Sequence, residues 1–409
     1  MDYQQHTLAN GIRVIHKRTD SYVSHCGIII NAGSRDENDD EQGLAHFIEH
    51  AIFKGTRNRR SYQLLSYMEN VGGEINAFTT KEDTCIYASF LTEFLERAVN
   101  IISDIVLHPT FPQKELEKEK EVVLDEINSY RDSPSEEIYD EFEKLLFAGH
   151  PIGRYILGKP ESVKKFRKSD LHKFIRRSYN TDEIVICSIG KTDFERLISI
   201  LEKYFSELKR NPRNWKREKF KGYKPFYKIV LKPIYQSHCI IGNVAYNALD
   251  KRRLPLILLN NILGGPGMSS RLSMNIREKY GFCYNIESNY QPFTDTGIFA
   301  IYFGTDQENI EKTNSLVLKE LEKLKNTKLG KLQIHRAKLQ LIGQLAISYE
   351  QGMNEMLSIG KSFLIYNKVE TIEEINAKIE KITTEQLLDT ANEIFDSVQL
   401  SSLIFKSNV

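Results

Sequence analysis

The sequence predicts an α+β fold built twice: two homologous α/β-sandwich domains, each a mostly antiparallel sheet packed by helices. Three observations predict it. Stretches with strand alternation are interleaved with stretches of helical spacing from the N-terminus to about Pro134, the mark of mixed layers. Two short matches recur at nearly one offset. Ser24-His25-Cys26 returns as Ser237-His238-Cys239, an offset of 237 − 24 = 213, and Asp83-Thr84 returns as Asp295-Thr296, an offset of 295 − 83 = 212. Between the halves, KRNPRNWKREKFKGYKP is polar, basic and flanked by prolines, a linker composition. The first domain is therefore placed at residues 1–212, the linker at 213–225 and the second domain at 226–409.

The elements follow in order. GIRVIHKR reads as a strand after the turn ANG, and YVSHCGIIINAG as a β-rich run closed by a glycine turn. The acidic stretch RDENDDEQG then precedes a helix from about Gly43 to Phe53, because negative charge favours a helix N-terminus. SYQLLSYMENVGG reads as a helix stopped by Gly72 and Gly73. EINAFTTKEDTCIYASFL reads as two strands, and LTEFLERAVNIISDIVLH has helical apolar spacing. QKELEKEKEVVLDEINSYRD is a long charged helix with one apolar stripe, ending near Pro134.

Bulk composition excludes several classes. There are 56 basic and 55 acidic side chains, a net charge of +1, so nothing general attracts nucleic acid or an anionic membrane. The basic run Lys54, Arg57, Arg59 and Arg60 reads as a solvated loop. Five scattered cysteines form neither a zinc ribbon nor a disulfide framework and fit a reducing compartment. The N-terminus MDYQQHTLANGIRVI lacks a leader pattern, and no apolar run reaches membrane-spanning length. The expected location is the cytoplasm.

The chemistry concentrates in AHFIEHAIFKGT, residues 45–56. On a helix His46, Glu49 and His50 share one face. Two imidazoles can then meet one zinc ion, which takes nitrogen and carboxylate ligands in near-tetrahedral geometry. Glu49 is placed beside them to take a proton from water attacking a carbonyl. The plain alternative is a helix carrying two unrelated histidines. Adding 212 or 213 to the trio lands in PLILLNNILGG, which has neither His nor Glu. A second copy that keeps the fold without the trio favours function over packing. A third ligand is required. Glu115, Glu119 and Glu126 lie along one face of the 113–131 helix, and spacing alone leaves the choice among them open.

At this point the chain resembles the inverzincins, the family of pitrilysin, insulin-degrading enzyme and the mitochondrial processing peptidase, whose H-x-x-E-H reverses the more familiar H-E-x-x-H. The resemblance rests on TLANGIRV, AGSRDE, GLAHFIEHAIFKGT, MENVGGEINAFTTKEDTCIYASFL and EKEVVLDEINSYRDSP, then LGGPGMSSRLSMNIREKYGFCYNI and PFTDTGIFAIYFGTD. It implies a third ligand at an offset of 76 from the second histidine; 126 − 50 = 76, so Glu126 joins His46 and His50 as zinc ligands, one ion per chain. It implies Glu49 as general base and Glu119 as the carboxylate supporting the site. Asn76 and Ala77, in GGEINAFTT, fall where the family lays an extended substrate against an edge strand. Arg277 and Tyr284 match a family pair that steadies the developing oxyanion.

The expectation is a zinc endopeptidase for short or unfolded peptides. Relatives with four such domains enclose a chamber, so a two-domain chain implies a homodimer or a heterodimer with a paralogue, with Arg277 and Tyr284 acting in trans. The alternative is a non-catalytic peptide-binding or scaffolding subunit of a processing peptidase.

Overall fold

The computed structural model describes residues 3–408. Six strands form one sheet: β1 (Gln4–Thr7), β2 (Arg13–Arg18), β3 (Val23–Ile30), β4 (Glu74–Thr79), β5 (Thr84–Leu91) and β6 (Ile184–Gly190). Their spatial order is β1-β2-β6-β3-β5-β4. The β2–β6 pair is parallel and the other pairs are antiparallel. A second sheet holds β7 (Tyr227–Lys232), β8 (Ser237–Ala245), β9 (Cys283–Pro292), β10 (Gly297–Thr305) and β11 (Ser401–Ser407), in the order β7-β11-β8-β10-β9. Its β7–β11 pair is parallel and the rest antiparallel. With β1 set aside, replacing β2, β6, β3, β5 and β4 by β7, β11, β8, β10 and β9 turns one order into the other.

The repeated tripeptide sits on matching strands. His25 and His238 each use Nδ1 for a 2.8 Å hydrogen bond to a hydroxyl on the neighbouring strand, Ser89 and Tyr302 respectively. Cross-strand register has drifted between the copies. Ser24 faces Phe90 and Ser237 faces Thr305, an offset of 305 − 90 = 215 in place of 212 or 213.

The helices used below are α1 (Leu44–Ala51), α2 (Leu95–Leu107), α3 (Gln113–Arg131), α4 (Pro134–Leu146), α5 (Arg253–Gly264) and α6 (Gly352–Tyr366). The long charged stretch forms a single helix, α3, and Pro134 starts α4 at its first turn, where the missing N–H costs nothing.

The chain divides into two compact units, each of three segments. The first comprises residues up to Asn128, Arg154–Glu218 and Ile347–Val369; the second comprises Ser129–Gly153, Lys219–Ala346 and the residues from Glu370 onward. Two helices thus lie away from the contiguous stretches placed at 1–212 and 226–409. In the first unit, α1 and α2 bury Phe47, Ile48, Val99 and Ile102 on one sheet face. The other face is covered by α6, whose Met356, Ile359 and Phe363 pack on Ile15, Val185 and Cys187. Gly360 lets α6 approach closely, since a Cβ there would lie 2.4 Å from Ile29 Cδ1. In the second unit, α5 packs on one face of the sheet, while Ile138, Phe142 and Leu146 of α4 cover Ile240, Leu403 and Phe405 on the other. Central strands covered on both faces read as unbroken apolar runs; IVICSIG of β6 is buried throughout.

The segment with linker composition is held, in part, against the first unit. Arg217 donates to both Asp36 carboxylate oxygens at 2.7 and 2.8 Å, and the Arg213 guanidinium stacks 4.1 Å from the Trp215 ring centroid. Charge density in a sequence does not tell whether the charges find partners. Among the described residues, no helix is long and apolar enough to cross a membrane.

Candidate metal centre

Helix α1 begins at Gly43, which has φ = 93° and ψ = 0°, a left-handed conformation that suits glycine. The buried Glu37 carboxylate accepts the N–H groups of Gly43 and Ala45 at 2.9 and 2.8 Å, so the acidic stretch supplies a specific anchor at the positive helix end. Burial pushes the Glu37 carboxyl well above its usual range, against those two hydrogen bonds. Leu44, Phe47, Ile48 and Ala51 face the core, each large apolar side chain contributing about 1.5–3 kcal/mol. The opposite face carries His46, Glu49 and His50. The expected helix Gly43–Phe53 is thus realised as Leu44–Ala51 continued by a tighter turn, Ile52–Lys54.

Three side chains converge. Glu126 Oε2, from α3, lies 3.7 Å from His46 Nε2 and 3.5 Å from His50 Nε2. One ligand atom from each residue falls within 4.8 Å of the others. Two ligands about 2.1 Å from one ion at a tetrahedral angle sit about 3.4 Å apart, so these separations suit a shared zinc ion. Glu126 Oε2 and His46 Nδ1 are buried without a hydrogen-bond partner among the described residues. A buried acceptor aimed at two imidazoles is costly unless something bridges them. The donor set, two nitrogens and one carboxylate oxygen, fits zinc.

The surrounding groups set the electrostatics. Glu119 Oε1 lies 2.9 Å from His50 Nδ1, and its Oε2 lies 2.7 Å from Lys54 Nζ. Burial disfavours the Glu119 charge, but these hydrogen bonds prevail and hold the carboxyl below its usual range. His50 is likewise desolvated, yet Glu119 and the nearby carboxylates raise it above the ordinary histidine value. Burial, reinforced by His50, pushes His46 down to about 3. Burial raises Glu49, while Thr79 beside it and the His50 charge work the other way. Burial thus makes the Glu49 carboxylate a readier proton acceptor than a solvated one.

Asn76 and Ala77 lie on β4, opposite Tyr87 and Ile86, and β4 is an edge strand. Asn76 Oδ1 accepts the Ala77 N–H at 2.8 Å, occupying a donor that an added strand would use. Arg277 and Tyr284 belong to the second unit. Arg277 sits in a π-helical turn, Ser273–Glu278, and its guanidinium pairs with Glu278 at 2.9 Å. Tyr284, on edge strand β9, is 88% exposed. Gly264, the last residue of α5, serves packing, since a Cβ there would lie 2.6 Å from the Ser288 backbone nitrogen.

Lys54 corrects the reading of its basic run as a solvated loop, because its ammonium meets Glu119 at the site. Of that run, Arg59 also has a partner, Asp104 at 2.5 Å, while Arg57 and Arg60 are exposed. The available signal was spacing: Lys54 follows His50 by four positions, one helical turn. Thr79, at the end of β4 and beside Glu49, carried no signal in the sequence.

Comparison with known proteins follows the same lines. Residues 13–160 match the family model described as insulinase (peptidase family M16), and residues 165–341 match that described as peptidase M16 inactive domain. A Rickettsia felis protein called an uncharacterized zinc protease is 33% identical over 400 residues, covering 97% of this chain and 96% of that one. The Bacillus subtilis protein called uncharacterized zinc protease YmxG is 31% identical over 407 residues, covering 99% and 98%. Among solved structures, a protease from Helicobacter pylori matches with a TM-score of 0.91 at 20% identity, covering 99% of each chain.

Proposed function

The chain belongs to the insulinase family of peptidases, M16, and on that premise we propose that it is a zinc endopeptidase acting on short or unfolded peptides. The carrying observation is Glu126 Oε2, buried without a hydrogen-bond partner among the described residues and aimed at the Nε2 atoms of His46 and His50. These three residues would hold one zinc ion per chain, which supplies Lewis acidity toward water and toward a peptide carbonyl.

The protein's own groups do the rest. Glu49 takes the proton of the attacking water and delivers it to the leaving amine. Glu119 accepts the Nδ1–H of His50 and so orients that ring. The open edge of β4, around Asn76 and Ala77, takes the substrate as an added strand once the Asn76 side chain swings off the Ala77 N–H. Arg277 and Tyr284 donate to the oxyanion. In this reading they act in trans across a homodimer that encloses the substrate, which selects for small or extended peptides.

Glu49→Gln tests the mechanism. It should retain about one zinc ion per chain while kcat for an unstructured peptide falls roughly 100- to 10,000-fold. Normal cleavage by this variant would sink the mechanism. Sedimentation showing only monomers at micromolar protein with full activity would remove the dimer.

A further inference from the structure

We propose that Lys54 is a positioning residue for the metal site: its ammonium clamps the Glu119 carboxylate, which in turn holds His50 with Nε2 facing Glu126 and His46. The proposal rests on the zinc reading of that site. The chain of contacts is short. Lys54 Nζ lies 2.7 Å from Glu119 Oε2, and Glu119 Oε1 lies 2.9 Å from His50 Nδ1. A carboxylate held at one oxygen can still swing about its side-chain torsions. Held at both, its plane is fixed, and so is the lone pair offered to the imidazole N–H.

The surroundings favour this role over a chance surface pair. The Glu119 side chain is 5% exposed and that of Lys54 28%, so the contact is shielded from most of the solvent that makes surface pairs weak. The lysine backbone is fixed as well. The chain reverses directly after it, with the Thr110 N–H donating to the Gly55 carbonyl at 3.0 Å and the Thr56 N–H to the Arg59 carbonyl at 2.9 Å. His46 offers the contrast. Its Nδ1 has no hydrogen-bond partner among the described residues, so polar contact orients His50 and packing orients His46. Three carboxylates, Glu49, Glu119 and Glu126, also bear on His50. By occupying Glu119 Oε2, Lys54 leaves that carboxylate one oxygen with which to meet the ring.

Partners behind a metal-bound histidine typically change metal affinity 10- to 100-fold. The test is a zinc dissociation constant for the full-length protein, measured by competition with a chromophoric chelator. Lys54→Met is expected to weaken zinc binding about 10- to 100-fold, and Lys54→Arg, which keeps a cation at the carboxylate, to recover most of the loss. An affinity within about twofold of wild type in Lys54→Met overturns the proposal; so does an arginine variant as weak as the methionine variant. If Lys54→Met does not fold, Lys54→Gln is read by the same twofold criterion. A wild-type protein that binds no zinc would overturn the zinc reading itself, and this proposal with it.

Discussion

Helices α1 and α5 follow equivalent strands, β3 and β8, and both pack on a sheet of the same strand order. They differ in what they offer their surroundings. Adding 213 to His46, Glu49 and His50 gives Leu259, Ile262 and Leu263. Leu259 is 1% exposed and Leu263 is fully buried in the core of the second unit. One helix thus turns imidazoles toward a carboxylate where the other turns leucines toward its core. The comparison teaches that this scaffold does not depend on the polar trio, and that the histidines find their carboxylate neighbours outside their own helix. Glu126 lies 3.5 and 3.7 Å from the two imidazoles, Glu119 meets His50, and Lys54 meets Glu119.

The comparison can be broken from either side. His50→Leu gives α1 the side chain found in α5. Zinc content should fall from about one per chain to near zero, and peptide cleavage with it, while circular dichroism still reports a folded protein. Retained zinc would show that the histidine is not a ligand. The reverse change, Leu259→His, places an imidazole in a leucine-lined core with no carboxylate opposite. The lost packing and the unpaired polar ring together should cost about 3–5 kcal/mol, read by urea denaturation, without adding a second zinc ion. A subtler contrast concerns the helper residues of the second unit. Tyr284→Phe should leave zinc content unchanged and lower kcat about 10- to 100-fold, somewhat less than the loss of a preorganised oxyanion donor. Equal kcat would take Tyr284 out of the mechanism.

The smallest effect is one of pH. In metal-free protein the folded value of His50 is raised above the ordinary histidine value, because hydrogen bonding to Glu119 and nearby carboxylates outweigh burial. Protonated His50 therefore stabilises the fold. That contribution is fully present below the unfolded value of about 6.5 and is lost as pH rises through the higher folded value. The melting-temperature difference between metal-free wild type and His50→Leu should move against the wild type, by a few degrees at most, as pH rises from about 6.5 through the folded value. Zinc binds the deprotonated ring, so zinc affinity should weaken as pH falls through the folded value of His50. A pH-independent difference would mean that Glu119 does not hold His50 in the metal-free state.

Much of this was readable in the sequence, because local spacing carries it. His46, Glu49 and His50 share a face by helical geometry, and the strand alternation of EINAFTTKEDTCIYASFL marked β4 and β5. The choice among Glu115, Glu119 and Glu126 was not readable from periodicity, which places all three on one stripe; the family resemblance separated them. Arg217 was not readable either, and the spacing of Lys54 from His50 did not name Glu119 as its partner. A long cationic side chain can extend into water or turn back onto a carboxylate, and which it does depends on a partner distant in sequence. The exchange of α4 and α6 was hidden for a related reason. Amphipathic spacing announces that a helix has an apolar face but does not say which sheet that face will meet.

That exchange imposes a schedule on synthesis. The sheet of β1 to β6 is chemically complete once Gly190 has left the ribosome, but its cover, α6, begins only at Gly352, and 352 − 190 = 162. At about 5–20 residues per second, Ile15, Val185 and Cys187 wait roughly 8 to 30 seconds for Met356, Ile359 and Phe363. A nascent chain stalled early in that interval carries the candidate metal-site residues, an uncovered apolar sheet face and a helix, α4, whose own sheet starts only at Tyr227. The period of greatest exposure to aggregation therefore spans the middle of translation, after His46, His50 and Glu126 have been made.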